Sequence, residues 1–267
     1  MYTNFGRDLI ALRTHLDNRP YSTVQLNINM SSFVNSQKRE FKDASYSQLA
    51  RIGKALSSPK RLELLDLLCQ SERTVEALAA ETGMSVANTS QHLQEMQGAR
   101  LLETTKNGRF VVYRLAGALV SDFFRRFRLL AENRLGEIEQ IRRRFFSEDE
   151  QINPVDRKTL LARVQQKKAI VIDVRPPKEY RTAHIAGALP IPLEQLKQRL
   201  SGLPRGKEIV AYCRGPFCVL AKEAVELLRS NGFRASRLED SVHDWQARGL
   251  PVAVGEEPAH KRLIRAH

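Results

Sequence analysis

An acidic break with a proline at 147–154 splits this chain into two stretches whose apolar residues obey different periods. Before it, apolar residues recur at three and four residues, as on helices: Leu49, Ile52 and Leu56, then Leu62, Leu65 and Leu68. After it come continuous apolar runs, Ala169 to Val174 and Ile209 to Cys213, of the kind buried on both faces of a parallel sheet. At 267 residues both stretches are long enough to close their own cores. The fold class expected is therefore two domains: a mixed α+β helical domain, then a small α/β domain.

Within the first stretch the order of signals is specific. Ser58-Pro59 opens a helix over 60–69, because proline in a first turn gives up no hydrogen bond that the helix needs. Thr74 caps a short helix that stops at Gly83, and Ser85 caps another over 86–97, with Val86, Leu93 and Met96 inward. Two short helices joined this way make a helix-turn-helix. Two β-rich runs, 101–105 and 110–114, flank Lys106-Asn107-Gly108-Arg109, a strong hairpin signal. A hairpin in that place is the wing of a winged helix. Residues 118–146 then return to a helical stripe through Leu119, Phe123, Phe127 and Leu130, fitted either to an interface or to packing on its own domain.

Small polar side chains on a recognition helix reach base edges and phosphates in the major groove. Ser85, Asn88, Thr89, Ser90, Gln91 and His92 are the candidates, with Lys106 and Arg109 of the wing for the backbone or minor groove. The run from Leu49 to Leu65, with Val75-Glu-Ala-Leu-Ala, Ser90-Gln-His-Leu and the Lys-Asn-Gly-Arg wing, resembles the ArsR-type winged-helix regulators over about 46–146. That resemblance implies a homodimeric repressor, paired through terminal helices, on a pseudo-palindromic operator in double-stranded DNA. Metal-sensing members carry Cys-x-Cys where this chain has Thr74-Val75-Glu76, so no metal is expected.

Beyond the break, Ile172-Asp-Val-Arg, Glu179-Tyr, His184-Ile-Ala-Gly-Ala, Tyr212-Cys-Arg-Gly-Pro-Phe-Cys, and Trp245 with Gly249-Leu-Pro-Val together resemble a rhodanese-like domain. Cys213 ends a strand and precedes a helix, where converging backbone amides and the helix dipole favour a thiolate or persulfide. Arg214 adds charge, and the backbone of Gly215, Phe217 and Val219 is expected to form the anion cradle. In the related loop an arginine stands where this chain has Cys218, which puts thiosulfate chemistry in doubt. Cys218 is read two ways: a second thiol that bridges to Cys213, or a buried residue in the helix's first turn.

The net charge of +13 suits polyanionic partners, but the larger share of the excess lies after residue 150. Three cysteines in 267 residues argue against a disulfide framework, and Cys69 reads as an inert core thiol. Without a signal-like apolar core or an apolar run of membrane length, the expected location is the cytoplasm, with no membrane partner. The organised pattern begins only near Phe41, which makes Met30 a candidate start. The expected layout is a disordered extension at 1–40, a winged-helix and dimerisation domain at 41–147, a rhodanese-like domain at 154–257 and a basic tail at 258–267. The expected function is a DNA-binding regulator, controlled by sulfane sulfur held as a persulfide on Cys213, without a cofactor. The alternative is a sulfurtransferase whose helix-turn-helix localises or dimerises it.

Overall fold

A computed structural model describes residues 23–146 and 155–257, with side chains from Val34 onward. Helix α1 spans Thr23–Leu56, and its residues up to Lys54 form a compact unit separate from the one that begins at Ala55. The expectation of disorder over 1–40 is corrected from Thr23 onward. The reason no apolar period was visible is that side chains from Val34 to Arg51 are all exposed, so no face of α1 had to be apolar there. Helix-favouring residues and the Arg39–Asp43 pair at 2.6 Å, one turn apart, support it instead. A helix expected at 7–16 and the tail at 258–267 lie outside the described residues.

In the second unit α2 (Pro59–Gln70) starts with its proline in the first turn. A short strand, β1 (Arg73–Thr74), follows, and Thr74 caps α3 (Val75–Thr82) by accepting from the Ala77 amide at 3.3 Å. Gly83, at φ 66°, turns the chain into α4 (Val86–Gly98), which Ser85 caps by accepting from the Asn88 amide at 3.2 Å. Strands β2 (Leu102–Asn107) and β3 (Phe110–Leu115) pair antiparallel with Asn107 opposite Phe110, leaving Gly108 and Arg109 as the turn. The sheet order is β1-β3-β2, so the wing carries a third strand that its two-residue length hid from any periodicity. Leu64, Leu65, Leu78, Leu93, Met96 and Leu102 are buried between these elements.

The expected helix at 118–146 is two helices, α5 (Ala118–Arg134) and α6 (Gly136–Phe146). Leu135 leaves helical geometry at φ −110° and ψ 94°, beside a glycine that favours a break. Leu119, Phe123, Phe127 and Leu130 stay exposed along α5.

The rest of the unit alternates helices with short strands. Its first half has α7 (Arg157–Gln165), β4 (Ala169–Asp173), α8 (Pro177–Thr182), β5 (His184–Ile185), β6 (Leu189–Pro190) and α9 (Leu193–Arg199). Its second half has β7 (Glu208–Tyr212), α10 (Leu220–Ser230), β8 (Ala235–Arg237), α11 (Val242–Gln246) and β9 (Val252–Ala253). Strands β6-β4-β7-β8 form a parallel sheet in that order, and β5 pairs with β9. Ile172, Ala211, Leu196, Val225 and Leu228 fill one face of the sheet; Val171, Val210, Leu160 and Trp245 fill the other. Burial on both faces is why β4 and β7 read as unbroken apolar runs. Among the described residues no helix is long and apolar enough to cross a membrane.

Candidate functional site: a two-thiol loop facing a helix-turn-helix

Central strand β7 ends at Tyr212, and the chain curls through 213–219 before α10 begins at Leu220. The C-terminal edge of a parallel strand is where backbone amides gather and where α/β folds place their chemistry. Gly215 makes the curl possible at φ 127°, a region closed to other L-residues, and a Cβ there would meet the Ser241 Cβ at 3.3 Å. Cys218 stands before α10, outside its first turn. Its amide donates to the Gly215 carbonyl at 3.2 Å, which folds the loop back on itself.

Cys218 packs against the apolar cluster that contains Cys213, and the two thiols influence each other's ionisation. Cys213 is 2% exposed, with its Sγ 3.5 Å from the Cys218 carbonyl oxygen. Burial, and then the neighbouring Cys218 thiol, push the Cys213 thiol well above the ordinary thiol range, against the pull of amides at Ala221 and Gly215. Cys218 moves the other way, down to about 7, chiefly through the neighbouring Cys213 thiol. Burial opposes that shift, while the amides of Arg214 and Leu220 and the Arg214 charge assist it. Burial at the strand end thus works against the low pKa expected of Cys213, while the Cys218 thiol is moved down. Backbone amides of Gly215 and Ala221 favour the Cys213 thiolate, and those of Arg214 and Leu220 the Cys218 thiolate; the side chains of Phe217 and Val219 are exposed.

Arg214 does not reach over the sulfurs as a donor cradle would. Its Nε donates to both Glu179 carboxylate oxygens at 3.1 Å and its Nη2 to Glu179 Oε1 at 2.8 Å. Its Nη1 donates to Glu81 on α3 at 2.6 Å. Beneath the loop, Tyr212 donates to Asp173 at 2.5 Å, and Asp173 also takes the buried Arg175 guanidinium at 2.6 Å. His184 is structural: its ring stacks on Tyr180 with centroids 3.7 Å apart, and its Nδ1 lies 2.9 Å from the Tyr180 carbonyl oxygen.

On α4, Asn88 and Gln91 are exposed and Ser90 and His92 half-buried. Ser85 is exposed and uses its hydroxyl as the cap. Thr89 is corrected: it is buried, and its hydroxyl donates to the Ser85 carbonyl at 2.9 Å. Its spacing from Leu93 and Met96, four and seven residues, puts it on the inward face. Val86, expected inward, is exposed instead. Lys106 and Arg109 project at the wing tip, with Arg109 over the Phe110 ring at 5.0 Å.

Two family models match: the bacterial regulatory protein arsR family over residues 58–104, and the rhodanese-like domain over 156–248. A relative spanning both, the HTH-type transcriptional regulator Rv0324 of Mycobacterium tuberculosis, is 38% identical over 219 residues, 82% of this chain and 96% of its own length. The chain belongs to the arsR family of bacterial regulatory proteins, with a rhodanese-like domain attached. A sulfurtransferase of Allochromatium vinosum is 27% identical over 107 residues, covering 39% of this chain and 98% of that protein. A homodimeric winged helix-turn-helix DNA-binding domain from Mycobacterium bovis is 41% identical over 35% of this chain and 87% of its own, at a TM-score of 0.34.

What sequence reasoning missed is how this arsR-family regulator joins its two matched parts. His243 Nε2 donates to the Cys69 carbonyl at 2.6 Å, Arg175 to the Gln70 side chain at 3.1 Å, and Arg128 to both Asp244 oxygens at 2.7 Å. Each bond links residues more than a hundred positions apart, and no spacing rule could have found them. A cleft at this seam is lined by Asp66, Cys69, Arg128, Arg214, Ser241 and His243, which brings the sulfur loop against the helical half.

Proposed function

We propose that this regulator binds double-stranded DNA as a homodimer and changes its affinity when sulfane sulfur reacts with the Cys213–Cys218 pair. The observation that carries this reading is the pair of cysteines held in one curled loop, Cys213 Sγ donating to the Cys218 carbonyl at 3.5 Å, in a loop that also touches α3 through Arg214. Asn88, Ser90, Gln91 and His92 offer donors and acceptors to base edges, with Ser85 at the helix start. Lys106 and Arg109 offer charge to the backbone or minor groove. The exposed apolar side chains of α5 suit a second copy of the chain, and a two-fold dimer calls for a pseudo-palindromic operator.

Cys218 is the entry thiolate. It attacks a sulfane sulfur of a polysulfide, the S–S bond beyond breaks, and the leaving group departs with the electron pair. Cys213 Sγ then attacks Cys218 Sγ, closing a disulfide as hydrosulfide leaves with the Cys213 proton. Arg214, the loop's one cation, is committed to Glu179 and Glu81, so the loop favours polysulfide or persulfide donors over an oxyanion such as thiosulfate.

The test is DNA affinity for the regulator's own upstream region at fixed salt, with and without sodium tetrasulfide. Wild type, Cys213→Ser and Cys218→Ser are compared. A change of about tenfold in wild type alone, within the usual range of allosteric coupling, is the expected result. Equal affinities throughout would defeat the reading.

A further inference from the structure

Four charged side chains close a ring between the sulfur loop and the helix-turn-helix. Arg214 binds Glu179 at 2.8 Å and Glu81 at 2.6 Å. Arg73 completes the circuit, reaching Glu81 at 3.4 Å on one side and Glu179 on the other. Positive and negative members alternate, and the ring is neutral. Glu179 is fully buried, Arg214 and Arg73 nearly so, and Glu81 is the most accessible member at 32% side-chain exposure.

The placement of the four is informative. Arg214 follows Cys213 directly, so its backbone is part of the curl between β7 and α10 that holds both cysteines. Glu81 lies in the last turn of α3, just before the Gly83 turn into α4. Arg73 belongs to β1, where it pairs with Tyr113 of the wing. Glu179 sits on α8. One guanidinium beside the reactive thiols is therefore tied to the helix that precedes the recognition helix, and through Arg73 to the wing.

We propose that this ring is the coupling device of the regulator: Arg73, Glu81 and Glu179 position Arg214, and covalent change at the Cys213–Cys218 loop opens the ring and loosens α3. The loop is short and closely packed. An added sulfur, or a bond between its two thiols, moves the backbone that carries Arg214. Charges with little exposure interact strongly and have poor alternatives in solvent, so such a ring is made or broken as a whole. The earlier functional reading enters only in naming sulfane sulfur as the natural trigger.

The experiment is amide hydrogen exchange over β1 and α3 in the full chain, for wild type and Glu81→Gln. Each protein is measured untreated, after iodoacetamide has modified Cys218, and after sodium tetrasulfide. Mass spectrometry of the loop peptide establishes what each thiol carries. In wild type the Cys218 adduct is expected to speed α3 exchange about fivefold or more, the lower end of ordinary coupling. Untreated Glu81→Gln should already exchange at that faster rate and respond no further to the adduct. A purely structural role for Glu81 would not abolish the response to a distant thiol. If the wild-type adduct leaves α3 exchange unchanged, or Glu81→Gln responds as fully as wild type, the ring is not the coupling device. If the adduct opens α3 but tetrasulfide leaves no sulfur on the loop, the ring stands and the sulfur reading falls.

Discussion

The two cysteines of the loop differ by their surroundings, not by their chemistry. Cys213 lies behind the sheet's apolar cluster, and the desolvation of its ionised form dominates every other influence on it. Cys218 gains what Cys213 loses, since the neighbouring Cys213 thiol favours its thiolate. Alkylation of Cys218 should therefore rise with pH around a midpoint of about 7, with Cys213 untouched over the same range. Cys213→Ala removes the neighbouring thiol that lowers Cys218 and should move the midpoint upward, while Cys213→Ser keeps a donor and should move it less. Rates of iodoacetamide labelling followed by peptide mass check this; an unmoved midpoint in Cys213→Ala would show that the neighbouring Cys213 thiol is not what lowers Cys218. The sequence places both sulfurs in one loop and expects the thiolate at Cys213, where burial opposes it. Strand-end position is legible in a pattern; the burial that overrides it depends on Leu220, Ala221 and α10 closing over the thiol.

At the level of elements, the helices that carry the helix-turn-helix were readable because each begins with a capping residue and the first ends at a glycine. Thr74, Ser85 and Gly83 do in the structure what their chemistry suggested. Elements of two residues were not readable: β1, β5, β6 and β9 are too short to show a period, and neighbouring strands alone define them. Among the loops, the 213–219 curl depends most on a single residue. Gly215→Ala forces a side chain into a positive φ and against Ser241, a strain of roughly 1–3 kcal/mol. Its expected consequence is a lower urea midpoint together with a loop that no longer holds the two thiols in contact, read as a Cys218 labelling midpoint shifted toward that of an ordinary cysteine. A Gly215→Ala protein with both quantities unchanged would mean that the curl does not need the glycine.

For the whole molecule, the seam between the helical and α/β halves carries a titratable group that neither half would hold alone. Asp66 on α2 is pushed up to about 6 by burial, against the lowering charges of Arg128 and Arg214 and with the raising ones of Glu179 and Asp244. Its folded-state pKa exceeds the unfolded value, so the folded protein binds more protons in between. The stability it contributes is full below about pH 4 and lost as pH rises through about 6. Asp66→Asn should therefore gain on wild type between about pH 4 and about pH 7, as measured by urea unfolding at each pH. A constant difference across that range would count against the assignment. None of this was legible in the sequence, where Asp66 is one carboxylate in a leucine-rich helix. The charged ring was equally invisible: four residues scattered from 73 to 214 look, in order, like ordinary solvated surface.

The last turn of α2 shows what that seam means for anyone who would take the protein apart. Its Cys69 carbonyl and Gln70 side chain end on His243 and Arg175, groups supplied from the far half of the chain. Cleaving within 147–154 would consequently give two fragments with raw edges, not two working modules. The helical fragment would fray where His243 had closed it, and the α/β fragment would be left with a buried arginine lacking one of its acceptors. The division that the chain displays so plainly along its length is therefore not a line of weakness. From Ala55 onward, heat should melt the regulator in one step.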